Sequence, residues 1–153
     1  MSETQTIDSS RRPLIILGIG DVLSLVLFSM IGRQTHAEGL TLQSVLLTAA
    51  PFVVAWFIMA SVLRGYRPAL LASPQVMFMQ SLVIAIGASA LGVFLRAAFL
   101  KVPVVPLFVL VAIPMATLFI LGWRMIFIWV YRRSQASPGA PTIPPDKAKK
   151  KTS

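Results

Sequence analysis

The chain has 153 residues, of which 56% are hydrophobic and only 12% charged, a composition outside the soluble globular range and sufficient for a single membrane-embedded bundle. It carries no cysteine, which excludes disulfides, thiolate metal sites and cysteine nucleophiles. Fourteen Lys and Arg against five Asp and Glu give a formal charge of +9. That excess sits at the ends of apolar segments and in the C-terminal tail, a pattern of membrane orientation and anionic-lipid contact, and no aromatic-interleaved basic patch marks a nucleic-acid surface.

Residues 1–12 (MSETQTIDSSRR) are polar and without periodicity, so they read as a disordered cytoplasmic lead ending in a basic anchor. Ser10-Arg11-Arg12-Pro13-Leu14 faintly resembles a twin-arginine signal, and Thr35-His36-Ala37 a cleavage site. The apolar stretch between them is too long for an ordinary signal core and contains Asp21, which favours a retained first span.

Hydropathy predicts four membrane helices over about 13–31, 44–63, 75–95 and 105–131, each near the ~20 residues a bilayer core requires. The connectors, 32–39, 64–73 and 96–103, are short, which makes successive helices antiparallel neighbours. The expected fold is an all-α, four-helix transmembrane bundle running up-down-up-down, with a membrane domain at 13–133 between disordered tails. Arg11, Arg12, Arg64, Arg67, Arg132 and Arg133 flank one face, whereas Arg33, Arg96 and Lys101 flank the other. The positive-inside rule then predicts a multi-pass protein of the cell membrane with both termini cytoplasmic. Trp123, Trp129 and Tyr131 cluster toward the same end of the fourth span, at expected headgroup depth.

Small residues mark the expected helix contacts: Gly18 and Gly20 in the first span, and Ala85 with Ser89 and Ala88 with Gly92 in the third. Pro51 and Pro114 lie within the second and fourth spans, where each removes a backbone donor and is expected to bend its helix. An offset of 63 aligns Arg33 with Arg96 and Pro51 with Pro114, but few other positions follow, so evidence for an internal duplication is thin. Residues 134–153 turn proline- and then lysine-rich and read as a disordered cytoplasmic tail. Its lysines, Lys147, Lys149, Lys150 and Lys151, either rest on anionic lipid or are simply solvated.

Only two full charges are written inside the predicted spans, Asp21 and Arg124. A charge in hydrocarbon costs a few kcal/mol or more unless it is paired or wetted. Asp21 follows Arg12 by nine residues, about 13 Å along a helix, and Arg124 precedes Arg132 by eight, about 12 Å, on a helix running the other way. Equal depth on antiparallel helices makes an intramembrane ion pair the first expectation. A proton or ion site, a snorkelling Arg124, a protonated Asp21 and a shared wet cavity are the alternatives. On the other face, Arg33, His36, Glu38 and Arg96 come from the first and third connectors and form a candidate outer polar cluster. His36 is the sole histidine, so no metal site is expected, and either it titrates with Glu38 or it is an ordinary loop residue.

No glycine-rich phosphate loop, carboxylate pair or histidine pair is present, so neither catalysis nor a cofactor is expected. The residues do carry a family resemblance. Gly20-Asp21, Phe28, Ile31-Gly32-Arg33 and His36, then Pro51-Phe52, Leu95-Arg96 and Gly122-Trp123-Arg124, resemble the landmarks of the domain-of-unknown-function family 3054. The resemblance implies a small four-helix prokaryotic membrane protein in which Asp21, Arg33, His36, Arg96 and Arg124 belong to one pattern; it supplies no mechanism. The expected function is a non-enzymatic structural or accessory membrane component, partnered by the lipid bilayer and by a larger complex or copies of itself. The alternative is a small oligomeric proton-coupled transporter built on Asp21 and Arg124.

Overall fold

The computed structural model describes residues 3–35 and 41–135. Among these residues the fold has four α-helices, α1 (Glu3–Thr35), α2 (Leu42–Val62), α3 (Pro74–Leu100) and α4 (Pro106–Gln135), with a short 3-10 helix at Pro68–Ala72 between α2 and α3. All four are long and apolar enough to cross a membrane. Each helix packs on its sequence neighbours and α1 closes against α4, so the bundle runs up-down-up-down.

The helix ends follow local chemistry. At the start of α2 the Thr41 hydroxyl accepts from the Ser44 amide at 3.2 Å while the Ser44 hydroxyl accepts from the Thr41 amide at 3.2 Å, a reciprocal capping box. Ser73 caps α3 and Pro74 occupies its first turn, where the missing amide is not needed. Lys101 ends α3 in the left-handed region at φ 52°, with its amide donating to the Ala97 carbonyl.

Two boundaries differ from the sequence expectation. Helix α1 begins at Glu3, so the lead expected to be irregular is helical from that residue on. Residues 3–12 contain neither glycine nor proline, and extending a helix already nucleated by the first span is far less costly than starting one. Helix α3 continues to Leu100, which places Arg96 in its last turns rather than in a connector.

The interior has two parts. Leu25, Phe28, Phe52, Trp56, Ile84 and Ile120 dominate a central cluster, with Phe28 meeting Phe52 edge-on at 5.3 Å between centroids. A second cluster around Leu17, Leu70, Met77, Phe127 and Ile128 fills the end at which α1 begins and α4 finishes. Large apolar side chains such as Ile15, Leu23, Val83, Leu110 and Leu118 stay exposed on the outside, as lipid contact requires.

Ala85, Ala88, Ser89 and Gly92 of α3 are all buried, as their spacing predicts for a helix-contact face. A Cβ on Gly92 would lie 2.6 Å from the Phe52 ring. The two glycines of α1 are unequal. A Cβ on Gly20 would fall 1.9 Å from an indole carbon of Trp123, whereas one on Gly18 would meet Tyr66 at an ordinary 3.8 Å. Gly20→Ala is therefore expected to destabilise the bundle by about 1–3 kcal/mol through overpacking. Gly18→Ala is expected to match or slightly exceed the parent, since it removes the roughly 1 kcal/mol helix penalty of glycine. Thermal unfolding of both variants in detergent checks the contrast, and equal melting points would contradict it.

Candidate functional site

Asp21 on α1 and Arg124 on α4 have no exposed surface and form a bidentate pair. The Arg124 Nε donates to Asp21 Oδ1 at 3.0 Å, and Nη2 donates to Oδ2 at 2.8 Å. Both sit near the middle of helices that pack against each other from opposite directions, and the equal depth read from residue spacing becomes direct contact. The guanidinium makes further bonds through Nη1, to the Gly65 carbonyl at 3.2 Å and the Ser81 hydroxyl at 3.1 Å. Four N–H directions are thus taken, by acceptors from α1, from α3 and from the turn that follows α2.

That turn is shaped to reach the pair. Helix α2 ends at Val62, and Arg64 adopts the left-handed conformation at φ 53°. The side-chain amide of Gln80 donates to the carbonyls of Leu63 and Arg64, satisfying backbone acceptors that the helix end leaves over. Gly65 then presses against α3 so closely that a Cβ would lie 2.7 Å from Ile84 Cδ1. Close approach of this backbone delivers the Gly65 carbonyl to Arg124 and turns the next residue, Tyr66, back into the bundle.

Tyr66 completes the network. Its hydroxyl donates to Asp21 Oδ2 at 2.6 Å and accepts from Trp56 Nε1 at 2.8 Å. Burial first, and the Asp21 carboxylate beside it second, push this hydroxyl above its ordinary value, so it stays a donor. The guanidinium carbon of Arg124 lies 4.8 Å from the centre of the Trp56 ring and 5.1 Å from that of Tyr66, close enough for the ring faces to stabilise the cation. The carboxylate is therefore bonded on both oxygens, and the arginine is enclosed by acceptors and aromatic faces.

The other sequence-selected residues are placed less centrally. Arg33 donates to Thr48 of α2 at 3.2 Å, and the Arg96 guanidinium lies 4.6 Å over the Phe108 ring of α4. His36 and Glu38 lie outside the described residues. Trp123, read from sequence as a headgroup anchor, donates its indole N–H to the Leu17 carbonyl at 3.2 Å and packs onto Gly20. Trp56, Gly65, Tyr66 and Ser81 were not singled out by the sequence. The one signal pointing to them is that a buried arginine needs more acceptors than one aspartate supplies.

Removing the Tyr66 hydroxyl alone leaves Trp56 without an acceptor and takes one donor from the carboxylate. Tyr66→Phe is expected to cost about 1.5–3 kcal/mol, the range for hydrogen bonds to charged groups, read as a lower melting point with the helical signal unchanged below it. The sign of its pH dependence is also set. A tyrosine with a raised folded-state pKa contributes fully below the unfolded value of about 10 and loses that contribution as pH rises beyond it. The gap in stability between parent and Tyr66→Phe should hold steady through neutral pH and shrink only in strong alkali.

A family model described as a protein of unknown function, DUF3054, matches residues 18–127. No curated protein and no solved structure matches the chain. The matched stretch includes Asp21, Trp56, Gly65, Tyr66, Ser81 and Arg124, the whole of the buried network. The chain belongs to the DUF3054 family.

Proposed function

We propose that this multi-pass membrane protein is a non-enzymatic structural or accessory component, resident in the cell membrane with both termini cytoplasmic, that works by stable association with a larger complex or with copies of itself. The Asp21–Arg124 network is its internal lock. What supports this reading is the closure of the network. Both oxygens of Asp21 are engaged by Arg124 and Tyr66, and both ends of the pair are fully buried. Oδ1 accepts one hydrogen bond and Oδ2 two, so three of the roughly four acceptor sites of the carboxylate are filled within the bundle, which favours a structural role. Among the described residues no cluster of three or more His, Cys, Asp or Glu offers a metal cage. The outer faces, by contrast, present broad apolar surface to lipid or to other membrane helices.

A lock and a proton site respond differently to neutralisation. Asp21→Asn leaves a buried guanidinium without its counter-charge, and the expected cost is about 3–5 kcal/mol. Adding Arg124→Leu removes the orphaned charge and should restore much of that stability, giving a favourable coupling energy in a double-mutant cycle. In proteoliposomes the parent should show no solute-dependent proton flux. A flux that Asp21→Asn abolishes without lowering the melting point would sink the structural reading and establish a proton-coupled carrier.

A further inference from the structure

Most glycines inside the helices are explained by what lies on them. At Gly20, Gly87 and Gly92 a side chain from another helix stands 2.6 Å or less from where a Cβ would be, so only glycine fits. Gly18 touches Tyr66 at an ordinary distance, and Gly32 lies in the last turn of α1, where helix ends fray in any case. Gly122 has neither reason. It is exposed near the middle of α4, and among the described residues nothing lies within 4 Å of a Cβ added there. An interior glycine disfavours a helix relative to alanine, and nothing in the bundle forbids the alanine. In membrane helices small residues mark the places where another backbone comes close.

Helix α4 is also the one with most surface left to cover, with 22% of its span buried against 33–39% for the other three. Its exposed residues Leu107, Val111, Met115, Leu118, Gly122 and Ile126 recur every three or four positions and form one stripe on the outside. None of them carries a charge or a hydrogen-bonding side chain. Leu118 and Ile126, 63% and 60% exposed, project one turn to either side of Gly122, which leaves a notch between two knobs.

We propose that the outer face of α4 is the contact between two copies of this chain, with the two α4 helices crossing at Gly122. The inference rests on the association reading given above and names its partner. Copies inserted in one orientation stand parallel, so their two-fold axis runs along the membrane normal and each residue meets its counterpart at its own depth. Gly122 then faces Gly122, whereas a different protein would have to bring a small residue of its own to that depth. A flexible acyl chain packs as well on alanine as on glycine and gives no reason for the notch. Charge fits the same arrangement. Arg132 and Arg133 in the last turn of α4 would repel their counterparts if the two helices ran side by side. Arg133 lies eleven residues from Gly122, about 16 Å of helix, and a crossing of roughly 40° parts the two ends by about 11 Å more, beyond the ~8–10 Å Debye length.

The chain has no cysteine, so single cysteines report without background. In native membranes treated with copper phenanthroline, Leu118→Cys, Gly122→Cys and Ile126→Cys should each give a disulfide-linked product of twice the 16.7 kDa chain mass. Leu23→Cys on α1 and Val83→Cys on α3 are the controls and should not. They are similarly exposed, at 57% and 61%, and share the depth of Gly122, since each lies two residues from a member of the Asp21–Arg124–Ser81 contact. Gly122→Leu fills the notch and should weaken dimerisation by about tenfold or more, read by energy transfer between labelled copies in bilayers. Its melting point in detergent, at a dilution where the chain is monomeric, should stay at or above that of the parent, because the added side chain meets open space. Undiminished dimerisation of Gly122→Leu, or linkage through α1 or α3 instead, overturns the α4 contact and leaves self-association standing. Equal linkage at all five positions is random collision and overturns it as well. Cysteines on α4 that link reproducibly to a different protein, and not to each other, replace the second copy with a larger complex. Monomeric particles with nothing attached overturn the association reading itself.

Discussion

An ionised guanidinium in hydrocarbon has to be surrounded by acceptors, because nothing in the lipid replaces the water it has lost. Arg124 meets that demand with a carboxylate from α1, a hydroxyl from α3 and a backbone carbonyl from the turn after α2, so one side chain on α4 draws a partner from every other part of the bundle. Helix association in a membrane has little hydrophobic drive of its own, since lipid is as apolar as leucine. The polar requirement of a single buried cation therefore does what a water-driven core does in a soluble protein: it specifies which helices meet and at what height. Small residues then set how closely they meet, with Gly20 beneath Trp123 the tightest case and Gly87 beneath Met59 and Gly92 beneath Phe52 next.

The turn from α2 to α3 belongs to this constraint as much as the helices do. Gly65 donates nothing by side chain, yet its carbonyl is one of the four ligands of the guanidinium, and its lack of a Cβ lets the chain lie against Ile84. Tyr66 comes next and links the carboxylate to Trp56. Such networks strengthen when every member is satisfied and become costly when one is removed, so the connector is coupled to the core rather than being an interchangeable loop.

How much of this was legible in the sequence follows from which signals are local. Two charges inside apolar runs stand out by composition, and the helical rise alone placed Asp21 and Arg124 at one depth. Four spans and their antiparallel order followed equally from hydropathy and connector length. Tyr66 was hidden because a tyrosine between Arg64 and Arg67 has the look of an interfacial anchor. Only the left-handed turn at Arg64, a conformation that arginine does not advertise, points it inward. The packing of Trp123 was hidden too: an indole near a helix end reads as a headgroup anchor, and only the gap at Gly20 on another helix draws it partly into the bundle. Helix α1 was longer than expected because the polar lead lacks a stop signal, and polarity alone is a weak argument against a helix already under way.

Asp21 and Arg124 stand 103 residues apart, on the first and last helices. At about 5–20 residues per second of synthesis, some 5–20 s separate the emergence of one from that of the other. During that interval the first span has to enter the bilayer with a carboxylate that has no guanidinium to meet. Tyr66 becomes available about halfway through, early enough to offer a first hydrogen bond before the cation is made. The closing step of assembly is then the arrival of α4, and a chain that stops short of it carries an acidic residue exposed to lipid, a chemical mark by which an unfinished bundle differs from a complete one.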